Sequence, residues 1–131
     1  MRVAVDTNVL VRAVVRDHRA QAEIAAKWLR NSSLLAVALP ALCELVWVLR
    51  RVYGFKAEEV ADTIRSLTTA DNVEMNRPAV EAGLAMLDAG GDFADGVIAY
   101  EGRWLGAETF VSFDRKAVEM LTAQGIAARL L

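Results

Sequence analysis

The chain has one cysteine, one histidine and two prolines among its 131 residues, and each scarcity excludes something. A lone thiol, Cys43, cannot make an internal disulfide or a paired-cysteine metal site, and it fits a reducing, cytoplasmic setting. Its apolar neighbours mark it as a core residue rather than a nucleophile. With His18 as the only imidazole, histidine-ligated zinc and Ser-His-Asp catalysis lack their material. No apolar run is long enough to cross a membrane. The longest, Leu34 to Leu49, contains Pro40 and Glu44 and divides better into a strand and a buried helix. The first residues lack the charged region, long apolar stretch and small-residue cleavage site of a signal peptide. A basic excess is missing too: 15 Lys and Arg against 17 Asp and Glu leave a net charge of −2. That argues against a passive binder held by phosphate contacts, though not against an enzyme, whose metal-site acids can mask a local basic rim.

What is present is apolar and regularly punctuated. At 55% hydrophobic residues, the chain has material for one well-buried core. Arg2 to Val5 reads as a short apolar strand without polar alternation, suited to a parallel sheet buried on both faces. Helical patterns follow at Val9–Arg16 and at His18–Leu29, the latter with Ile24, Trp28 and Leu29 at core-like spacing. Leu34 to Ala38 is a second strand, and Pro40 opens a helix from about Ala41 to Tyr53, stopped by Gly54. Lys56 to Leu67 is amphipathic, Val73 to Met75 a brief strand, and Pro78 starts a helix that ends before Gly90-Gly91. Asp92 caps a helix from Phe93 to Leu105. Thr109 to Phe113 has the clearest strand pattern, Arg115 to Ala123 is a helix, and Ile126 to Leu131 a last strand. Such alternation predicts a single α/β domain with a parallel sheet.

Four carboxylates stand out on this frame. Asp6 and Asp114 each close an apolar strand and precede a helix, at the sheet edge where open α/β folds bind ligands. Each has a plain alternative, since Asp is also a common helix cap. Glu44 is the only acid between Glu23 and Glu58, in a helix so apolar that a bare buried charge would cost several kcal/mol in order of magnitude. Its alternative is a salt bridge, for instance to Arg12. Asp95 occupies the third helical position after Asp92, favourable to the helix dipole in any case. All four are expected to project to one edge, where repulsion would destabilise the fold unless a cation bound. Oxygen donors without imidazole or thiolate suit Mg²⁺ or Mn²⁺. Such an ion polarises a phosphate and acidifies water, which makes phosphodiester hydrolysis the natural chemistry.

Val5-Asp6-Thr7-Asn8, Glu44, Asp92-Phe93-Ala94-Asp95-Gly96-Val97-Ile98-Ala99 and Phe110-Val111-Ser112-Phe113-Asp114 together resemble the PIN-domain nucleases. Within that family the chain is similar to the VapC-like toxins of toxin–antitoxin pairs. The resemblance implies one PIN domain over residues 1–131, with a five-stranded parallel sheet flanked by helices on both faces. It implies a Mg²⁺- or Mn²⁺-dependent endoribonuclease acting on RNA as a toxin, a cognate antitoxin that occludes the site, and commonly a homodimer. Asp6, Glu44, Asp95 and Asp114 match the acidic quartet, and Asn8 and Ser112 its small polar supporting positions. Asp92 matches an acid that is either ligand or helix cap. Arg12, Arg16, Arg115 and Lys116 are candidates for phosphate contact, with Arg50 and Arg51 as a further basic patch; each has ordinary solvated surface as its alternative. Gly96 is unusual inside a helix and is expected to loosen the one carrying Asp95. Trp28, Trp47 and Trp104 are expected mostly in the core, with some share at an interface. The other reading is a PIN-like module that binds RNA or protein without cutting. A haloacid-dehalogenase-like phosphatase is excluded by Asn8, which stands where that chemistry needs a second aspartate.

Overall fold

Short runs of small and branched apolar residues make short strands here, and all of them pair in parallel. The computed structural model describes all residues from Met1 to Leu131. They divide into two units, Met1–Asn76 and Arg77–Leu131. The first unit runs β1 (Arg2–Ala4), α1 (Thr7–Val15), α2 (Arg19–Asn31), β2 (Leu34–Ala36), α3 (Leu39–Arg51), α4 (Ala57–Thr69) and β3 (Val73–Glu74). Its sheet has the order β1-β2-β3, with Val3 opposite Leu35 and Leu35 opposite Val73. The second unit runs α5 (Arg77–Asp88), α6 (Phe93–Trp104), β4 (Phe110–Ser112), α7 (Arg115–Ala123) and β5 (Ala128–Leu130). Here β4 pairs only with β5, Val111 opposite Arg129.

The α/β alternation and the parallel pairing are as the sequence predicts, and every expected strand and helix forms within a few residues of its expected ends. The single five-stranded sheet is not what forms: the strands make one sheet of three and another of two. Strands of two or three residues offer few ladder bonds each, so little backbone pairing commits any one edge to another. The expectation that β1 is buried on both faces is corrected accordingly. It is an edge strand, with Arg2 and Ala4 exposed.

The core of the first unit gathers Leu10, Leu35, Leu42, Leu45, Leu49 and Ile64, all fully buried. In α2 the buried positions are Ala22 and Ala25, whereas Ile24 and Trp28 are exposed, against their expected core role. α2 packs against α1, and its small residues take the buried positions while the large ones stand outward. Trp47 and Trp104 likewise stand 57% and 75% exposed rather than in the core. The Trp104 indole donates to the Tyr100 hydroxyl at 2.7 Å, so its polar end is satisfied at the surface. The second unit packs Met86, Ala99 and Leu121 together, with Phe110 and Ile126 against them. No helix is long and apolar enough to cross a membrane.

One side chain locks the turn geometry of the first unit. Asn72 donates from Nδ2 to the carbonyls of Leu29, at 2.8 Å, and Ser32, at 3.0 Å, tying the end of α2 to the approach to β3. Replacing Asn72 with Ala should lower the free energy of unfolding by about 1–3 kcal/mol, read from the urea midpoint, because two part-buried carbonyls lose their donor. An unchanged midpoint would show that water replaces the amide without loss.

Candidate functional site

The acids that close the strands are held by the amides that open the next helices. Asp6, two residues past the end of β1, is the N-cap of α1, and its Oδ1 accepts from the Thr7 amide at 2.7 Å. Asp114, two residues past β4, is the N-cap of α7 and accepts from the Ala117 amide at 3.2 Å. Asp92 caps α6, accepting from Ala94 at 3.0 Å. Helix capping therefore belongs to Asp6 itself and does not stand against a functional role. Each of these bonds uses one carboxylate oxygen of two.

In the first unit Thr7 joins two of the expected site residues. Its amide donates to Asp6 and its hydroxyl donates to Glu44 Oε2 at 3.0 Å. Thr7 itself is buried, so the link is made from the protein side. Glu44 is exposed, so the expected cost of burying its charge does not arise. α3 is amphipathic, with Leu42, Leu45, Val46 and Leu49 inward and Glu44 and Trp47 outward. Nor does Glu44 pair with Arg12, whose Nε donates to Gln21 Oε1 at 2.7 Å and whose Nη1 lies 3.4 Å from Asp17 Oδ1. Asn8 is exposed in the first turn of α1. With Asp6, Arg12, Ile24 and Trp28 it lines an open groove of about 780 Å³. Arg16 ends α1 in the left-handed conformation, φ 59°, and is exposed. Thr7 is the residue that sequence reasoning passed over. Its signal was a hydroxyl beside the strand-end acid, and its partner lies 37 positions away.

In the second unit two acids act on a third. Asp95 is half-buried in the first turn of α6, and its carboxyl is raised above the usual aspartate value. Burial contributes most to that shift, followed by the charges of Asp92 and then Asp114. Ser112 Oγ accepts from the Asp114 amide at 2.9 Å, shaping the turn that presents the acid. Arg115 and Lys116 are exposed in the first turn of α7, directly after Asp114.

Gly96 lies on the buried side of α6. A Cβ there would stand 2.3 Å from the carbonyl oxygen of Ala82, so the glycine admits α5 rather than loosening its own helix. Asp6 and Glu44 thus belong to one unit, Asp92, Asp95 and Asp114 to the other. No three carboxylates come close enough together to hold a metal ion. The donor set is nevertheless all oxygen, and His18 is engaged through Nδ1 as the cap of α2, which accepts from the Gln21 amide. Carboxylates alone fit a hard divalent cation.

A raised carboxyl has a definite consequence for stability. Between the ordinary aspartate value and the raised one, the folded chain holds a proton that the unfolded chain has released. Stability therefore falls as pH rises through that window and stays lower above it. Asp95→Asn should raise the thermal midpoint of the metal-free protein at neutral pH and bring no gain in acid below the carboxyl range. An equal gain at both pH values would trace the effect to packing instead of charge.

The sequence pattern of the PIN domain family matches residues 3–120, a span that includes Asp6, Glu44, Asp95 and Asp114. No curated protein matches the chain. A match over most of the length, on a frame of parallel strands alternating with helices, assigns the fold family: the chain belongs to the PIN domain family, whose members are commonly nucleases.

Proposed function

We propose that this chain is a Mg²⁺- or Mn²⁺-dependent endoribonuclease, with Asp6, Glu44, Asp95 and Asp114 as its metal-binding and catalytic acids, and that it acts as the toxin of a toxin–antitoxin pair. The observation that carries the chemistry is the second unit's acidic cluster, where Asp92 and Asp114 add to the burial that makes ionising Asp95 unfavourable. A cation relieves such repulsion, and a site of this kind recovers on metal binding what it costs in the empty fold.

The reading takes the chain as one PIN domain, the family whose pattern it matches over residues 3–120. Asp6 and Asp114 each follow their strand by two residues and each cap the next helix, so the two acids are held in the same local way. Thr7 links Glu44 to Asp6, and Asp95 stands with Asp92 and Asp114 in the second unit.

The bound ion supplies Lewis acidity toward the phosphate and toward the attacking water. The rest falls to the chain. The capping amides of Thr7 and Ala117 orient Asp6 and Asp114, and the Thr7 hydroxyl orients Glu44. Asn8 and Ser112 support the acids, while Asp92 serves as helix cap. Arg115 and Lys116, exposed beside Asp114, contact RNA phosphates, with Arg16 on the other unit as a further candidate. Arg12 is already engaged by Asp17 and Gln21, so a phosphate would have to compete for it. Resemblance to the VapC-like toxins supports the toxin role, the antitoxin partner, a homodimer and a cytoplasmic setting.

Purified protein should cleave RNA with Mg²⁺ or Mn²⁺ and lose that activity in EDTA. Asp6→Asn or Asp95→Asn should reduce cleavage by about 100-fold or more with the fold retained by circular dichroism. RNA binding without cleavage, indifferent to metal, would instead favour a PIN-like binding module. Growth arrest on expression, relieved by the product of an adjacent gene, tests the toxin role separately.

A further inference from the structure

The first turn of α6 carries Asp92 and Asp95, and it is keyed into α5 at two points. Phe93 is fully buried, and its ring lies over Gly83 so closely that a Cβ on Gly83 would stand 2.6 Å from the ring edge. One turn further on, a Cβ on Gly96 would meet the Ala82 carbonyl oxygen at 2.3 Å and the Gly83 Cα at 2.9 Å. Each helix thus contributes a glycine where the other comes closest. Phe93 and Gly96 are three positions apart, on one face of α6, and Asp95 lies between them on the chain.

The two glycines differ in what they face. At Gly83 the opposing group is a side chain, which can turn. At Gly96 it is backbone, which cannot yield unless a helix moves. Ordinary contact begins at 3.4 Å and the opposing atoms are backbone, so a side chain at position 96 requires α5 and α6 to shift against each other, by up to about 1 Å. Glycine within a helix costs about 1 kcal/mol relative to alanine. Gly102, in the same helix, provides the contrast: a Cβ there meets nothing nearer than 3.9 Å.

We propose that Gly96 is a positioning residue for the site: by seating α6 directly on the α5 backbone at Ala82–Gly83, it fixes how far Asp95 is drawn toward Asp92 and Asp114. This rests on the metal-dependent reading above. Catalytic and metal-binding groups need placement within about 0.5 Å, and a misplacement of about 1 Å costs roughly 100-fold in rate. The displacement forced by a single methyl is of that size. It would shift one carboxylate relative to the others without removing any ligand.

The experiment compares wild type, Gly96→Ala, Gly83→Ala and Gly102→Ala in the full chain, all below their unfolding midpoints. Mn²⁺ binding is measured by electron paramagnetic resonance, alongside kcat and KM for a single-stranded RNA. Gly96→Ala should weaken Mn²⁺ binding about 10-fold and lower kcat about 100-fold, with KM within a factor of about two. Gly83→Ala should move Mn²⁺ affinity in the same direction by less, since the Phe93 ring can turn. Gly102→Ala should leave both at wild-type values. Folded Gly96→Ala with wild-type Mn²⁺ affinity and kcat overturns the proposal and leaves glycine a packing role only. Where Gly96→Ala does not fold, Gly83→Ala decides in its place, and wild-type Mn²⁺ affinity in that variant overturns the proposal. Wild-type protein that neither binds Mn²⁺ nor cleaves RNA sinks the metal-dependent reading itself, a result separable from either of these.

Discussion

A helix begins with amides that have no partner inside the helix, and this chain meets them with carboxylates of its candidate site. Asp6, Asp92 and Asp114 each accept from an amide in the first turn of the following helix. The bond orients the carboxylate, and the helix dipole favours its charge. A flexible side chain becomes a fixed anionic group with an oxygen to spare. Much of the candidate site depends on this constraint, because it turns the strand–helix junctions of an α/β frame into holders for acids.

The two units add different supports to that device. In the first, Thr7 couples Asp6 to Glu44 by offering its amide to one and its hydroxyl to the other. In the second, the support is close packing of backbone. The α5–α6 contact admits no side chain at Gly96, and Asp95 sits in that turn with its carboxyl raised by burial and by its acidic neighbours. The first unit links its acids through a shared hydrogen-bonding residue; the second holds Asp95 near the charges of Asp92 and Asp114.

The strand ends, helix starts and Asp92 cap were legible because they depend on local chemistry: short apolar runs, Pro40 and Pro78 near helix starts, and Gly54 with its φ of 68° after α3. The exposures of Glu44, Ile24, Trp28, Trp47 and Trp104 were not, since an apolar helix does not disclose which of its faces is covered. In α2 the alanines took the interior and the larger residues went out, the reverse of a ranking by hydrophobicity. Gly96 was misread for a similar reason. A glycine inside a helix reads as a weakness until the neighbouring backbone it admits is known.

By itself the sequence determined the order of elements, the parallel pairing and the stations of the four acids, because each follows from near-neighbour rules of period, capping and turn chemistry. It determined the family as well, through a match spanning residues 3–120. Tertiary structure decided what each acid leans on: Thr7 for Glu44, the seat of α6 on Ala82 for Asp95, and Ser112 for the turn at Asp114. Those contacts bring together groups as far apart in sequence as positions 7 and 44, and no local pattern encodes such an approach. It is the packing of one backbone on another that sets the distance between charges, and with it the chemistry they are able to perform.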